Sequence, residues 1–583
     1  MSKPQQTHSY QRLRNAYAAE LRRVIKKLGA TGSVLVEQLE VPPDTKLGDL
    51  AFPCFQLAKE LKKSPVHIAQ LITDSTKEVS GFERITAVGP YVNVFFDACT
   101  VGELALQKSP SIKKTKEVVV IEYISPNTNK PLHLGHVRNA VLGDNISRLI
   151  TANGKVVKKT CLVNDRGIHI CKSMIAYWMQ GQRGKGSKGQ SQIRTPHSTG
   201  IKGDHFVGEY YVLFEKMLKE NPALIEQAQA CLQKWEAGDK QTHALWKKMN
   251  TWVLSGMRET YARLGISFDK TYFESAIYTK GKDIILSQLK KGAVKKDETG
   301  AVFADLESLD LPNKILLRRD GTALYITQDI YLAVKKREDF RASTFLYVIG
   351  SEQDLYLKQL FAVLHSFGYA WAKNLVHISY GMVNLPDGKM KSREGTVVDA
   401  DDILDELEAF ATSEIVSRDS ALSKKEVSRR AKIIALASIK FIMSDISPKS
   451  EMVFDPKESI SFQGRTGPYI LYTYARLKSI IRKNTSSTKK SKDAYTWNAE
   501  KELALHLLSY PDILRTAGEE HNPSLVARYL YDLAQKANDY YHAVPILKAE
   551  PLERQCRIAL IKRIAETLKE GLSLLGIDVL EQM

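Results

Sequence analysis

The stretch SPNTNKPLHLGH, residues 125–136, gathers two histidines, a lysine and two asparagines on one short run without a cysteine or a carboxylate. His133 and His136 are three apart, so a helix would put them on one face. Three chemistries could use such a pair. A metal clamp needs three or more His, Cys, Asp or Glu ligands, and only Asp144, two turns on, is near in sequence. Two core histidines would need nothing beyond packing. An anion site fits the neighbours better. The histidine donors, Asn127, Asn129 and the Lys130 ammonium converge on one turn beside Gly135, where backbone can approach a ligand closely.

A turn of this kind needs a frame to hold it. EVVVIEYIS (117–125) is a near-continuous β-branched run, as expected of a strand covered on both faces. A helical pattern follows from His133 to Asn153 and Gly154, where the glycine can take a left-handed stop. The point where a buried strand passes into its crossover helix is where open parallel sheets bind ligands. KVVKKTCLVND with its following helical stretch, then FLYVIGSEQD (345–354), DLYLKQLFAVLHSFGY and LVHISYGMV, repeat the unit. The fold class is therefore multidomain α/β, with a Rossmann-type, doubly wound parallel sheet at its centre. The two halves of that sheet lie too far apart for a loop, which predicts an inserted subdomain at roughly 180–310.

The flanks differ in pattern. Leu13, Tyr17, Leu21, Val24 and Leu28 share one face of a basic helix ending at Gly29. GDLAFPCFQLAKELKKSP (48–65) reads as a second helix, and GPYVNVFF (89–96) alternates as a half-buried strand should. This predicts an N-terminal α+β domain over 1–110, ahead of the Rossmann-type domain over 111–401. From 402 to 583 the pattern is helical almost throughout, ending in Cys556, Leu560, Ile564, Leu568 and Leu572 at four-residue intervals, the mark of a helical bundle.

Composition narrows the partners. The 583-residue chain carries a net charge of +18, a field that attracts polyanions such as nucleic acid. Its longest apolar candidate for a bilayer span, IIALASIKFIM, is broken by Ser438 and Lys440, so no membrane partner is expected. The start, MSKPQQTHSYQRLRN, lacks the apolar core of a secretory signal, and the six cysteines form no Cys-x-x-Cys pair. A cytoplasmic protein with reduced thiols and no structural metal is the expectation. GKGSKG (184–189) matches the dinucleotide string G-x-G-x-x-G, but it lies in a Gly/Ser/Lys/Gln-rich stretch with no strand before it, so it reads as a surface loop.

HLGH has the form of the HIGH signature of class I aminoacyl-tRNA synthetases, and SPNTNKPLHLGHVRN resembles the version carried by arginyl-tRNA synthetases. GKMKSREGTVV (388–398) is similar to their second signature, KMSKS. GDLAFP, KGDHFVGEYY, SFQGRTGPYILYTYARL, YLYDLAQKANDYYHAVPIL and LLGIDVLEQM resemble further stretches of the same family, in the same order along the chain.

The resemblance implies an arginine–tRNA ligase that activates L-arginine with ATP, releasing pyrophosphate, and then transfers arginine to the 3' end of its cognate tRNA. It implies His133, Gly135 and His136 on one side of the ATP phosphates and Lys389 and Met390 on the other, with Mg²⁺ accompanying ATP. The second lysine of KMSKS would fall at Ser392. The family's substitute, a lysine just before the first signature, matches Lys130. For arginine the resemblance implies Tyr325 and Asp329, with Asp329 on the guanidinium, Glu122 as a second acidic member, and Ser125, Pro126, Asn127, His136 and Gln353 around the rest. A planar guanidinium paired to a carboxylate is what separates arginine from lysine. Tyr356 stands where many relatives have histidine. In the bundle, Tyr469, Tyr472 and Arg476 are the expected tRNA contacts, with more than about half of the bundle's tyrosines expected to pack in the core instead. A monomer is expected by the same resemblance. The alternatives are a non-catalytic tRNA- or RNA-binding paralogue, and a small-molecule adenylyl transferase of the same superfamily.

Overall fold

The structure, a computed structural model, describes residues 9–30, 35–107, 112–183, 194–386, 398–484 and 495–583. The basic N-terminal helix runs Ser9–Lys27 and buries Leu13, Tyr17, Leu21 and Val24. It packs beside an antiparallel sheet of β1 (Leu50–Pro53), β2 (Phe82–Val88) and β3 (Tyr91–Phe96), in the order β1-β3-β2. The 48–65 stretch is therefore not one helix. Its first part extends because Leu50, Ala51 and Phe52 pair with Val94, Asn93 and Val92, and the helical part begins only with a 3-10 turn at Phe55–Leu57 that runs into the short α-helix Ala58–Leu61. Tertiary pairing overrides the local helical pattern there.

The central sheet begins with β4 (Val118–Glu122), β5 (Val156–Val163) and β6 (Lys270–Phe273). After a small antiparallel sheet of β7 (Lys295–Lys296), β8 (Val302–Ala304) and β9 (Lys314–Leu317), it resumes with β10 (Thr344–Gly350) and β11 (Leu375–Tyr380). The order is β11-β10-β4-β5-β6 and every pairing is parallel. The chain steps outward from β4 to β6 and then returns to the other side of β4. The strand order thus reverses between β4 and β10, the switch point at which doubly wound sheets open a ligand crevice.

The 180–310 excursion comes in two pieces, because β6 lies inside it as the edge of the central sheet. Its first piece holds the helices Gly203–Glu220, Leu224–Glu236 and Lys240–Leu264. Its second holds β7 and β8, whose sheet is completed by β9 just beyond it. The GKGSKG stretch lies outside the described residues.

The first crossover helix, Leu134–Ala152, is capped by His133 and followed by Gly154 at φ +87°. It lies close against β4: a Cβ at Gly143 would fall 2.2 Å from the Tyr123 ring. The C-terminal part is a bundle that includes Gly467–Lys483, Lys501–Glu519, Ser524–Ala543 and Pro551–Leu574. The helical pattern from 402 is interrupted by Met452–Val453, which pairs in parallel with Val383–Asn384. The buried Glu500 fastens the bundle, accepting from Tyr495 Oη at 2.9 Å, Tyr540 Oη at 2.8 Å and Arg557 Nε at 3.1 Å. Lys501 Nζ reaches Asp49 Oδ2 of the N-terminal unit at 2.9 Å. No described helix is long and apolar enough to cross a membrane.

Candidate active site

A cavity of about 890 Å³ opens at the carboxyl ends of β4 and β10. Lys130, His133, Gly135 and His136 line one part of it, and Glu122, Tyr325, Asp329, Gln353 and Tyr356 line another. Ser125 and Asn127 also reach it. Ten of the residues expected from sequence thus share one cavity, although Tyr325 and Gln353 stand some two hundred positions beyond His133.

The two histidines are fixed by backbone. His133 Nδ1 accepts the Gly135 N–H at 3.1 Å, and His136 Nδ1 accepts the His133 N–H at 3.1 Å. With both Nδ1 atoms acting as acceptors, each neutral ring carries its proton on Nε2 and can donate it outward. Burial lowers the His133 pKa to about 4, with a further push from Lys130. Burial takes His136 well below its usual value, helped by His133 and Lys130. Glycine at 135 matters, because a Cβ there would stand 3.0 Å from the His133 ring. Lys130 is lowered by burial as well. Two neutral N–H donors, an ammonium and a helix N-terminus make a cradle for an anion, and this donor set lacks the carboxylates or thiolates of a zinc site.

The other part of the cavity is acidic. Tyr325 and Asp329 occupy one face of the helix Tyr325–Phe340, and the same face continues through Leu332 to Lys336. Asp329 is pushed up to about 7, by burial first, with the Glu122 charge adding to the shift and the Tyr356 hydrogen bond and Lys336 opposing it. Glu122 does not wait for a ligand: its Oε2 lies 2.5 Å from the Lys336 ammonium, which is 1% exposed. Glu274, a near-buried carboxylate on the Asp329 side, is raised to about 7 by burial. Lys336, Asn139, Tyr347 and Tyr380 also line the cavity. Sequence reasoning missed both Lys336 and Glu274: helical spacing puts Lys336 on the Tyr325/Asp329 face, but a helix lysine reads as solvated, and Glu274 carried no signal at all.

Some expectations fall elsewhere. Pro126 is buried and turns its carbonyl to the Asn164 N–H at 2.9 Å, so it shapes the segment without lining the cavity. Asn129 is buried away from the cavity. Lys389 and Met390 lie outside the described residues. In the bundle, Tyr529 and Tyr540 pack in the core, whereas the Arg476 guanidinium stands 4.8 Å from the Tyr472 ring and 5.3 Å from the Tyr541 ring. Tyr469 is half-buried and accepts from Asn538 Nδ2 at 3.0 Å. Among the described residues, Asp204, His205 and Asp401 bring three metal-type ligand atoms together, but Lys202 Nζ already sits 3.0 Å from Asp204 and 2.6 Å from Asp401.

A doubly wound sheet with a histidine-bearing anion cradle at its switch point and a helical bundle behind it defines a class I aminoacyl-tRNA synthetase. The family model for the class I (R) tRNA synthetase catalytic domain matches residues 100–455, a DALR anticodon-binding domain matches 470–583, and an arginyl-tRNA synthetase N-terminal domain matches 15–96. The chain belongs to the arginyl-tRNA synthetase family. An arginine–tRNA ligase of Treponema denticola is 42% identical over 574 residues, covering 94% of this chain and 96% of its own. One of Bacteroides fragilis is 41% identical over 572 residues, covering 92% and 94%. The solved arginyl-tRNA synthetase of Thermus thermophilus superposes with a TM-score of 0.81 at 28% identity, over 98% of this chain and 100% of that one. That of Plasmodium falciparum, at 18% identity and a TM-score of 0.78, shares the fold.

Proposed function

We propose that this chain is a working arginine–tRNA ligase whose single cavity holds ATP and arginine side by side. It activates L-arginine with ATP to arginyl-adenylate and pyrophosphate, then transfers arginine to the 3' end of its cognate tRNA. The observation that carries the reading is the shared cavity, with phosphate-type donors on one part and an oriented, half-buried aspartate on another. The carboxylate of arginine attacks the α-phosphorus, the bond to pyrophosphate breaks, and negative charge shifts over the phosphate oxygens. Preformed donors that meet that charge lower the barrier. In this reading Lys130 and the Nε2–H groups of His133 and His136 meet the phosphates, while Lys389 and Met390 act from the second signature. Mg²⁺ travelling with ATP adds charge neutralisation; the donors nearest the histidines are N–H groups, which suits an ion carried by the nucleotide rather than one held by the protein.

Asp329 takes the guanidinium and Tyr325 covers it at the mouth, where it is 50% exposed. Ser125, Asn127 and Gln353 hold the amino-acid end. Glu122 acts through its pair with Lys336. Tyr469, Tyr472 and Arg476 meet the anticodon arm from the unit at 402–583, with the 1–110 unit on the tRNA elbow and the catalytic unit at 111–401 between them. The chain acts as a cytoplasmic monomer. Charging of total tRNA with arginine and with lysine tests the reading: arginine is expected to be esterified and lysine not. Failure of arginine to charge would favour the non-catalytic paralogue.

A further inference from the structure

Ile124 follows the last residues of β4 with φ +57°, a left-handed conformation that a β-branched residue rarely adopts. Its side chain is fully packed in the core, so neither solvent nor a loose loop accounts for the conformation. Its two backbone polar groups are both engaged. The N–H donates to Asn139 Oδ1 at 2.7 Å, and the carbonyl accepts from Cys161 Sγ at 2.9 Å.

Asn139 does more than meet one N–H. Its Nδ2 donates to the Val348 carbonyl at 2.8 Å and to Tyr380 Oη at 3.1 Å. One buried amide thereby ties the end of β4 to β10 and to β11, across the switch point where the cavity opens. Gly143, one turn further along the same helix, lets the helix approach β4 closely enough for this reach. Immediately after Ile124 the chain leads into Ser125 and Asn127, and Asn164 holds the far side of that segment through Pro126 and Thr128.

We infer that Asn139 is a positioning residue for the arginine subsite: by holding Ile124 in its left-handed conformation it aims Ser125 and Asn127 into the cavity. The inference rests on the placement of arginine against Ser125 and Asn127. Without the amide, Ile124 relaxes toward ordinary backbone angles and the segment turns away, whereas the phosphate cradle keeps its own internal hydrogen bonds.

Steady-state charging with arginine and ATP varied separately tests this. Asn139→Ala is expected to raise the KM for arginine roughly tenfold while the KM for ATP stays within about threefold, the scale set by one strained backbone residue. Adding Ile124→Gly to Asn139→Ala is expected to recover at least about threefold of that loss, because glycine adopts a positive φ freely. A purely structural role predicts equal damage to both substrates and no rescue, since Ile124→Gly also removes core volume. An unchanged arginine KM in Asn139→Ala, a parallel rise in both KM values, or a double variant no better than the single would each overturn the inference. Should Asn139→Ala lose its cooperative melt, Asn139→Ser is measured against the same criteria. Asn127→Ala separates the two readings. If it leaves the arginine KM unchanged, the placement of arginine fails and this inference falls with it. If it raises that KM while Asn139→Ala does not, only the role of Asn139 fails.

Discussion

The hydroxyl of Tyr356 donates a hydrogen bond to Oδ2 of Asp329 inside the cavity. One carboxylate oxygen is thereby committed to the protein, and the carboxylate is oriented before any substrate arrives. Orientation alone does not charge it: burial pushes Asp329 up to about 7. Only the ionised form pairs with a guanidinium, so arginine affinity should fall as pH drops through 7. The KM for arginine at pH 6 is expected to be roughly tenfold that at pH 8, one pH unit below a pKa being a tenfold loss of the ionised form. The KM for ATP should not follow it. Without arginine the same raised pKa makes the native state bind more protons than the unfolded chain between about 4 and 7, so this group's contribution to stability falls as pH rises across that window. The stabilisation by arginine in a thermal melt should therefore be larger at pH 8 than at pH 6, and Asp329→Asn should remove the difference. A pH-independent arginine KM would contradict the assignment of Asp329.

Tyr356→Phe isolates the hydrogen bond. Because that bond favours the ionised carboxylate, losing it moves the midpoint of the arginine KM profile to higher pH. The loss at pH 7 is expected to be about threefold to tenfold, as for one hydrogen bond to a charged group. A midpoint that moved to lower pH would mean that the hydroxyl opposes ionisation.

Lys130 and the imidazoles act on charge that develops during reaction. Lys130→Ala is expected to lower kcat of arginine activation about a hundredfold, the scale of removing one preorganised donor, while the melting temperature changes little. A comparable loss of folding would reduce Lys130 to a structural lysine. Replacing His136 should cost more, because its Nδ1 also accepts the His133 backbone N–H and so holds the backbone that carries the second imidazole.

Much of this site was legible before the fold was known, and the reasons differ by residue. The histidine turn announces itself because its residues are adjacent and follow a buried strand. Asp329 could be paired with Tyr325 by helical spacing, but nothing local says that this helix faces a turn two hundred residues earlier; only resemblance supplied that. Strand pairing decided Leu50–Pro53 against its helical pattern, and pairing with β5 drew Lys270–Phe273 out of the insertion into the central sheet. Neither partner is visible in a local window. Lys336 is the instructive miss: a lysine in a helix reads as solvated, and its burial beside Glu122 follows from tertiary packing alone.

That pair predicts an asymmetry in stability. Lys336→Met leaves the Glu122 carboxylate buried without its cation, which should cost about 3–5 kcal/mol. Adding Glu122→Gln removes the uncompensated charge and should return most of that loss. Urea unfolding of the two variants checks it: a double variant no more stable than Lys336→Met would show that the two side chains do not depend on each other.

Arg476 is held at both ends of its function. Its Nη1 donates to Asn538 Oδ1 at 2.7 Å, which fixes the guanidinium, while the rings of Tyr472 and Tyr541 stand on it at 4.8 Å and 5.3 Å. Tyr541 is 39% exposed, so this stack meets solvent where Tyr529 and Tyr540 do not. A cation between aromatic faces is suited to phosphate on one side and an unstacked base on the other. Arg476→Ala should therefore raise the KM for tRNA by roughly tenfold and weaken its salt dependence, since one phosphate contact is lost. Tyr541→Ala should raise the same KM without altering the salt slope, because stacking involves no counterion release. The arginine KM should be unmoved in both. Tyr529→Ala serves as the contrast: its ring lies in the core, so it should lower the melting temperature first. If Arg476→Ala left the tRNA KM unchanged, the stack would be a packing feature of the bundle and the anticodon arm would have to be met elsewhere on its surface.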